Sequence, residues 1–313
     1  MKKLIFISLV ILFTLNSGAQ QDPQFSQYMF NQMAINPGYA GSNDMICASL
    51  LNRQQWVGFT GAPSSTVFHV NAAVKPFGIS SGVGLFIMND QAGFNKNLNI
   101  SGSYAYRLDL GPGKLGIGIN IGMYNQSLEP EWFIPDSDHH TDVNGDPLIP
   151  VNSESVFVFD MGFGLFYKTD ELYVGLSTTH LNEPKFKYSE GSPFLTRHYY
   201  FTAGYNFQLP NPLFEILPSI QILSDGATSE ISLNANTLYN KKFWGGVSYK
   251  VGSAVVGMLG IQLFNGIKLG YAYEFPTSDI IQGTTGSHEF MVNYCFSLGM
   301  ERSPRRYKSV RFL

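Results

Sequence analysis

After about residue 44 the chain alternates apolar and polar residues with period two, and this pattern constrains the fold more than any other feature. Ile117, Ile119 and Ile121, for example, are separated by Gly118 and Asn120. Because successive side chains of a strand point to opposite faces, such a segment is a β-strand with one apolar and one polar face. About fourteen such segments follow one another. They begin near Ile46, Thr66, Gly82, Asn97, Leu115, Val156, Leu172, His198, Phe214, Glu230, Phe243, Ala254, Ile267 and Glu289.

The connections between these segments indicate a membrane barrel. Each segment is near the ~9–11 residues that a tilted transmembrane strand requires. Even-numbered connections such as 111–113 are short, whereas the odd-numbered ones include the long stretches 129–154, 180–197 and 276–288. Bacterial outer-membrane barrels have short periplasmic turns, long outer loops and an even strand count. The sequence therefore predicts an all-β, closed antiparallel transmembrane β-barrel of about fourteen strands, with both termini in the periplasm.

Composition excludes several other classes of protein. Charged residues make up only 14% of the chain and aromatic residues another 14%, whereas soluble domains carry about 25% charge. A mean hydropathy of -0.02 is too low for a helical membrane protein, and the net charge of -3 gives no support to a nucleic-acid partner. A large soluble β protein is the alternative, but Tyr and Phe cluster at strand ends, as in the interfacial girdles of barrels.

The N-terminus has the features of a secretory signal peptide. Lys2 and Lys3 precede an apolar run over 4–15, and Ser17-Gly18-Ala19 is a small-residue cleavage site. We therefore expect a signal peptide over 1–19, an N-terminal periplasmic segment over 20–43, the outer-membrane barrel over 44–299 and a basic periplasmic tail over 300–313.

The segment before the barrel does not alternate. Asp22 and Pro23 form an N-cap and first-turn pair that predicts a short helix ending near 36–38. Phe25, Met29 and Met33 would share one face of that helix. We expect it to pack in or across the periplasmic mouth, as a structural helix, a plug or a docking element.

This region also carries a family resemblance. The stretch DPQFSQYMFNQMAINPGYAGS is followed from residue 52 by NRQQWVGFTGAPSST. Together they resemble the opening of PorP/SprF-type proteins, outer-membrane components of the type IX secretion system found with gliding and surface-adhesin machinery in Bacteroidota. The residues that carry the resemblance are Asn36, Pro37, Gly41, Arg53, Gln55, Trp56, Gly61, Ala62 and Pro63.

The resemblance implies a non-enzymatic barrel that helps to secrete or anchor surface proteins bearing a type IX C-terminal signal. It also implies contacts with periplasmic lipoprotein and peptidoglycan-linked secretion components. The alternative is a FadL-like outer-membrane channel for hydrophobic or small solutes, and a third class is an outer-membrane hydrolase with a Ser/His pair near the outer rim. An occupied lumen would favour the anchor, and a substrate-sized path would favour transport.

Two charged segments are candidate partner sites. The predicted outer loop 129–154 holds seven acids and no Lys or Arg, but it fails the EF-hand calcium pattern, so we predict no metal or other cofactor. The candidate partner-binding acids are Glu129, Glu131, Asp136, Asp138, Asp142 and Asp146, with Glu154 at the end of the loop. The tail offers Arg302, Arg305, Arg306, Lys308 and Arg311 for docking to an acidic periplasmic partner.

The remaining polar residues include no H-E-x-x-H zinc motif, no C-x-x-C pair and no G-x-x-x-x-G-K phosphate loop. The histidines fall in predicted loops or near strand ends, where we expect solvated or simply hydrogen-bonded side chains. Cys47 on the first predicted strand and Cys295 on the last would be neighbours in a closed barrel, so a disulfide across the seam is allowed unless strand stagger separates them. Charged residues assigned to the barrel interior are Arg53, Arg107, Asp109, Asp160, Lys168, Lys268, Glu274 and Glu289. Inward glycines would leave room for a plug or for water.

Overall fold

The alternating segments form the wall of a closed antiparallel β-barrel of fourteen strands in the computed structural model, which describes residues 22–130, 152–189, 191–263 and 266–297. The predicted fold class is confirmed. Fifteen β segments build this wall, because the short β9 continues β8 after a break at Asn206. Their bounds are β1 Ile46–Gln54, β2 Ser64–Val74, β3 Ser81–Ala92, β4 Asn95–Leu110, β5 Gly113–Leu128, β6 Glu154–Lys168, β7 Leu172–Thr179, β8 His198–Tyr205, β9 Phe207–Gln208, β10 Phe214–Ser224, β11 Ser229–Tyr239, β12 Phe243–Lys250, β13 Ala254–Gln262, β14 Ile267–Pro276 and β15 Ser287–Phe296.

Pairing between the first and last strands closes the barrel. β1 runs antiparallel to β15 with Ile46 opposite Phe296 and Gln54 opposite His288, and every other strand pairs with its neighbours in the chain. Within the described residues every strand of the wall therefore has a neighbouring strand on both sides, so the sheet has no free edge strand for lipid to face.

The two faces of the wall follow the alternation in the sequence. On β5 the side chains of Ile119, Ile121 and Met123 are 47%, 51% and 55% exposed, so they lie on the outer face. On β4 the side chains of Ser101 and Arg107 are buried and point into the lumen. An apolar outer wall and a polar interior are typical of barrels that span a membrane.

Three strands are longer than the alternation predicts. β4 and β5 each have 16 residues and β6 has 15. Polar residues at the start of β4, Asn95 to Asn97, pair with Gln126 to Leu128 of β5. The hydrogen-bond ladder needs only backbone groups, so it continues beyond the apolar band that the period-two pattern detects.

The barrel has two different ends, which we name by their connections. The short-turn end carries the connections 75–80, 111–112, 169–171, 209–213, 240–242 and 263–266. The long-loop end carries the connections 55–63, 93–94, 129–153, 180–197, 225–228, 251–253 and 277–286.

Residues 22–44, which we call the plug, run through the lumen from the long-loop end to the short-turn end. Asp22 contacts His180, which follows β7 at the long-loop end, and Asp44 contacts Arg107 near the short-turn end of β4. Of the alternatives that the sequence leaves open, this position corresponds to a plug rather than to a helix packed across one mouth of the barrel. The prediction that both chain termini lie in the periplasm concerns residues outside the described ranges.

The plug is also not the single helix that Asp22-Pro23 predicts. It contains a 3-10 turn at Tyr28–Phe30, a four-residue helix α1 at Gln32–Ile35 and a second 3-10 turn at Pro37–Tyr39. The carboxylate of Asp22 accepts hydrogen bonds from the barrel wall instead of capping a helix. Among the described residues, no helix is long and apolar enough to cross a membrane.

Candidate functional site

A buried group of charges holds the plug near the long-loop end. Glu274 on β14 lies between two cations, with Arg53 Nη2 at 3.1 Å and Lys250 Nζ at 2.6 Å from its Oε2 atom. The hydroxyl of Ser26 in the plug donates to the same oxygen at 3.0 Å. All three charged residues are at most 7% exposed, so each charge depends on these partners rather than on water.

Glu289 on β15 binds the plug backbone directly. Its two carboxylate oxygens accept hydrogen bonds from the Ser26 N–H at 2.7 Å and from the Gln27 N–H at 2.9 Å. The alternation in the sequence predicts that Arg53, Glu274 and Glu289 lie in the barrel interior. Lys250 was not among the predicted interior residues. The group therefore combines two cations with two carboxyl groups.

A second cluster lies beside it and involves histidines that we expected to be solvated or simply hydrogen-bonded. His180 Nε2 lies 2.9 Å from Asp22 Oδ1, and its Nδ1 atom lies 3.0 Å from Asp160 Oδ1. Asp22 Oδ2 also accepts from Tyr200 at 3.1 Å and faces His198 Nδ1 at 3.8 Å. His180 and His198 are each 2% exposed, so neither side chain is solvated, and His180 is hydrogen-bonded to Asp22, which is the other state that we expected. No sequence motif marks this cluster, because its members lie far apart in the chain, in the plug, in β6, in β8 and in the connection between β7 and β8.

The electrostatics of this cluster favour a charged pair. Burial would raise the pKa of Asp22, but the charges of His180 and His198 and hydrogen bonds from His180 and Tyr200 hold it well below its usual range. Burial would likewise lower the pKa of His180, but the charge of Asp22 and bonds to Asp160 and Asp22 raise it to about 10. The first residue of the plug is thus tied to the wall by an ion pair.

Farther into the lumen, glycines of the wall make room for the plug. A Cβ atom on Gly82 would lie 1.9 Å from the carbonyl oxygen of Ala40, and one on Gly118 would lie 2.3 Å from the Gly38 nitrogen. Such distances are shorter than any side chain could adopt, so the plug backbone needs glycine at these wall positions. The inward glycines therefore accommodate the plug.

Asn36 connects this part of the plug to two strands. Its Nδ2 donates to the carbonyl oxygens of Leu165 at 3.0 Å and Leu176 at 3.4 Å, and its Oδ1 accepts from the Gly38 N–H at 2.9 Å. The next residue, Pro37, begins the second 3-10 turn. Gly41 has a positive φ of 72° and packs against the backbone of β2 and β3.

At the short-turn end, the last residues of the plug contact charged side chains of the wall. Asp44 Oδ1 accepts from Arg107 at 2.6 Å, and its second oxygen lies 3.4 Å from Lys114. Lys168 donates to the side chain of Asn43 at 2.5 Å. Burial would raise the pKa of Asp44, but the hydrogen bond and charge of Arg107, together with Lys114, hold it below its usual range.

The second half of the family signature lies in the β1–β2 connection at the long-loop end. Arg53 donates to Gln55 at 2.9 Å, and the Gln55 N–H donates to the Pro63 carbonyl at 2.8 Å. Trp56 has a positive φ of 52°, and its N–H donates to the Ser287 hydroxyl. Gly61, with φ of 72°, accepts from the Gly93 N–H, and Ala62 donates to the Phe59 carbonyl. The signature therefore marks the plug and the loop above it.

Cavities remain around the plug. One of about 460 Å³ at the long-loop end is lined by Asp22, Arg53, Trp56 and Asp90, among others. A second of about 400 Å³ at the short-turn end includes Asp44 and Arg107. A third, of about 260 Å³, lies between plug and wall. Its apolar lining includes Met29, Phe30, Leu217, Leu238 and Trp244.

The charged segments predicted to meet partners lie mostly outside the described residues. Of the acidic loop, Glu129 forms an exposed ion pair with Lys96, and Glu154 accepts from the Ser189 N–H. Glu131, Asp136, Asp138, Asp142 and Asp146 lie outside the described residues. So do Arg302, Arg305, Arg306, Lys308 and Arg311 of the tail.

The two cysteines lie opposite each other in the barrel seam. The register pairs Cys47 with Cys295, and the structure joins them in a disulfide with a Cα–Cα distance of 4.1 Å. Strand stagger therefore does not separate them.

A closed barrel with an apolar outer wall and a lumen filled by its own N-terminal segment is the architecture of a membrane β-barrel protein. The family model described as type IX secretion system membrane protein PorP/SprF matches residues 17–294. The chain therefore belongs to this family, as the signature residues predict. It is a secretion-system membrane protein family and not a family of enzymes, and its barrel fold fits an outer-membrane location.

Solved structures resemble the chain at the level of the fold. The toluene transporter TbuX of Ralstonia pickettii is 12% identical, with a TM-score of 0.50, over 86% of this chain and 93% of the transporter. A triple mutant of Rhodopseudomonas blastica porin is 11% identical, with a TM-score of 0.34, over 80% of this chain and 99% of the porin. No curated protein sequence matches the chain.

Proposed function

We propose that this protein is a non-enzymatic outer-membrane anchor of the type IX secretion machinery. It helps to secrete or retain surface proteins that carry a type IX C-terminal signal, and it links them to periplasmic lipoprotein and peptidoglycan-linked components. The long-loop end faces the cell surface and the short-turn end faces the periplasm, in keeping with the loop lengths of outer-membrane barrels.

The plugged lumen is the observation that carries this proposal. Contacts with the wall hold the plug from Ser26, which binds Glu289 in the buried interior, to Asp44, which binds Arg107 at the short-turn end. Because the N-terminal segment fills the lumen, the barrel offers partner proteins its two ends as docking surfaces rather than an open channel. The acids from Glu129 onward would meet a basic patch of the secreted partner, and the basic tail would meet an acidic periplasmic partner.

Deletion of the protein, followed by a catalogue of the surface proteins lost, tests the anchoring role. We expect loss of a small set of proteins that carry the type IX signal, and restoration by the wild-type chain. Replacing all seven acids of 129–154 with Asn or Gln should reduce retention of that partner, whereas unchanged retention would refute the role of the loop. Deleting 300–313 should reduce recovery of periplasmic partners in a pull-down, and full recovery would leave the tail without a docking role.

One observation favours a second function, a FadL-like channel for hydrophobic solutes. The cavity of about 260 Å³ that Phe30 and Trp244 help to line is mainly apolar, as small-molecule sites usually are. Conductance in planar bilayers separates the two functions. The anchor predicts a closed wild-type barrel that conducts only when the plug is released, whereas the channel predicts uptake of a small aromatic hydrocarbon by wild-type protein in vesicles.

A further inference from the structure

The buried cluster around Asp22 has features that a set of ion pairs alone does not explain. Asp22, His180 and His198 each offer one ligand atom, and these atoms lie within 4.8 Å of one another. His198 is only 2% exposed, yet neither of its ring nitrogens has a hydrogen-bond partner. Burying an imidazole nitrogen without a hydrogen-bond partner costs free energy. An unpartnered nitrogen of this kind therefore indicates that a ligand binds to it.

The orientation of His180 points to the nature of that ligand. Its Nδ1 atom faces Asp160 at 3.0 Å, which leaves Nε2 directed at Asp22. Histidines that bind metals usually direct their second ring nitrogen at a carboxylate, which fixes the ring orientation and strengthens the ligand. Asp160 lies within reach of that supporting position, although its angle to Nδ1 is not yet that of a hydrogen bond.

From these contacts we propose that Asp22, His180 and His198 form a binding site for a divalent transition-metal ion, with Zn²⁺ as the preferred ion. Two imidazoles and one carboxylate are a ligand set that zinc accepts, and a fourth position is left for water. With bonds of about 2.0–2.2 Å, tetrahedral ligand atoms lie roughly 3.3 Å apart. Asp22 Oδ2 and His198 Nδ1, at 3.8 Å, need only a small movement to reach that spacing.

The position of the site gives the metal a structural role. Asp22 belongs to the plug, whereas His180 and His198 flank the connection between β7 and β8. A bound ion would therefore fasten the start of the plug to the barrel wall at the long-loop end. Binding to the folded state alone would also stabilise the plugged barrel.

Zinc binding by the full mature barrel in detergent tests the proposal. His139 and His140 are replaced with Asn in every sample, because they are the histidines outside the described residues. We expect one tightly bound Zn²⁺ per chain, measured by elemental analysis and by competition with a chromophoric chelator. His198→Ala should weaken binding at least ~100-fold, and Asp160→Asn should weaken it about 10–100-fold.

His288→Asn is the matched control, because His288 contacts Tyr271 on β14 and lies outside the cluster. It should bind zinc like the parent. Cobalt substitution gives a readout that needs no variant, because Co²⁺ in this site should show visible absorption of tetrahedral strength. Zinc should also slow proteolysis within the plug, and a chelator should reverse that protection.

Three results would overturn the proposal. The first is that the protein without further substitution binds no more zinc than His198→Ala. The second is that His288→Asn loses as much zinc binding as His198→Ala. The third is that bound Co²⁺ gives no tetrahedral spectrum. Any of these would leave the cluster as ion pairs only.

Discussion

Near the long-loop end the plug contacts charged side chains of the wall, whereas in the middle of the lumen it packs against glycines of the wall. We call residues 22–27 the charge-held half and residues 33–41 the shape-held half. Glu289 reaches inward to bind the backbone of Ser26 and Gln27 in the first half. In the second half, Gly82 and Gly118 let the plug backbone approach the wall directly.

The barrel seam shows the same contrast between its two ends. β1 and β15 are joined by Cys47 and Cys295 near the short-turn end, whereas near the long-loop end Arg53 lies opposite Glu289. An ion pair can be broken by a change in the charge of either partner, whereas close packing or a disulfide bond cannot. The hold on the plug at the long-loop end therefore depends on charge, as does the ion pair of Asp44 with Arg107 at the short-turn end.

The largest expected effect follows from removing the central charge of the first half. Glu274→Gln leaves Arg53 and Lys250 buried without their carboxylate, and we expect a loss of about 3–5 kcal/mol in the free energy of unfolding. Denaturant unfolding in micelles measures this loss. Glu129→Gln is the control, because it breaks an exposed ion pair with Lys96 that is worth about 0–1 kcal/mol. Equal losses in the two variants would contradict the charge-held half.

The covalent seam should contribute the next largest effect. Intact mass should show alkylation of Cys47 and Cys295 only after reduction. The double variant Cys47→Ser with Cys295→Ser should lose about 3 kcal/mol of stability, because a long loop is no longer closed in the unfolded chain. Alkylation of the unreduced protein would show that the disulfide is absent.

Adding a single methyl group tests the shape-held half. Gly82→Ala or Gly118→Ala should displace the plug and cost about 1–3 kcal/mol through overpacking. Gly102→Ala and Gly257→Ala are matched controls, since a Cβ atom there would meet nothing within 4 Å. Hydrogen exchange of the plug amides measures displacement. Equal exchange in test and control variants would show that the wall glycines do not seat the plug.

Removing one polar anchor within the shape-held half should have a smaller effect. Asn36→Ala leaves the buried Gly38 N–H without its acceptor, and we expect a loss of about 1–2 kcal/mol. Asn211→Ala provides a comparison, because Asn211 makes the same kind of bond to the Leu213 N–H in an exposed turn. A larger loss at Asn211 would argue against Asn36 as an anchor.

The smallest effect concerns pH at the short-turn end. The pKa of Asp44 is lower in the folded protein than in the unfolded chain, so its contribution is present above about pH 4 and is lost as the pH falls through the folded value. Its side chain is 60% exposed, so the contribution is below about 1 kcal/mol. The stability difference between wild type and Asp44→Asn should shrink below about pH 4, and a difference that grows would contradict the ion pair.

Much of the wall was predictable from local pattern. Strands begin at Ile46, Leu172, His198, Phe214 and Ala254, as the alternation predicts, because side-chain direction along a strand depends only on neighbouring residues. The family signature likewise identified a short stretch of chain. The candidate site was less predictable, because Asp22 and His180 are 158 positions apart in the chain.

The sequence by itself determined the number of strands, the face that each side chain presents and the family, since all three follow from local order and composition. Only the tertiary structure decided what fills the lumen and which distant residues meet. The helix predicted from Asp22 does not form, because His180 and Tyr200 bind the carboxylate that would have capped it. Strand register placed Cys47 opposite Cys295, and register depends on how the whole barrel closes.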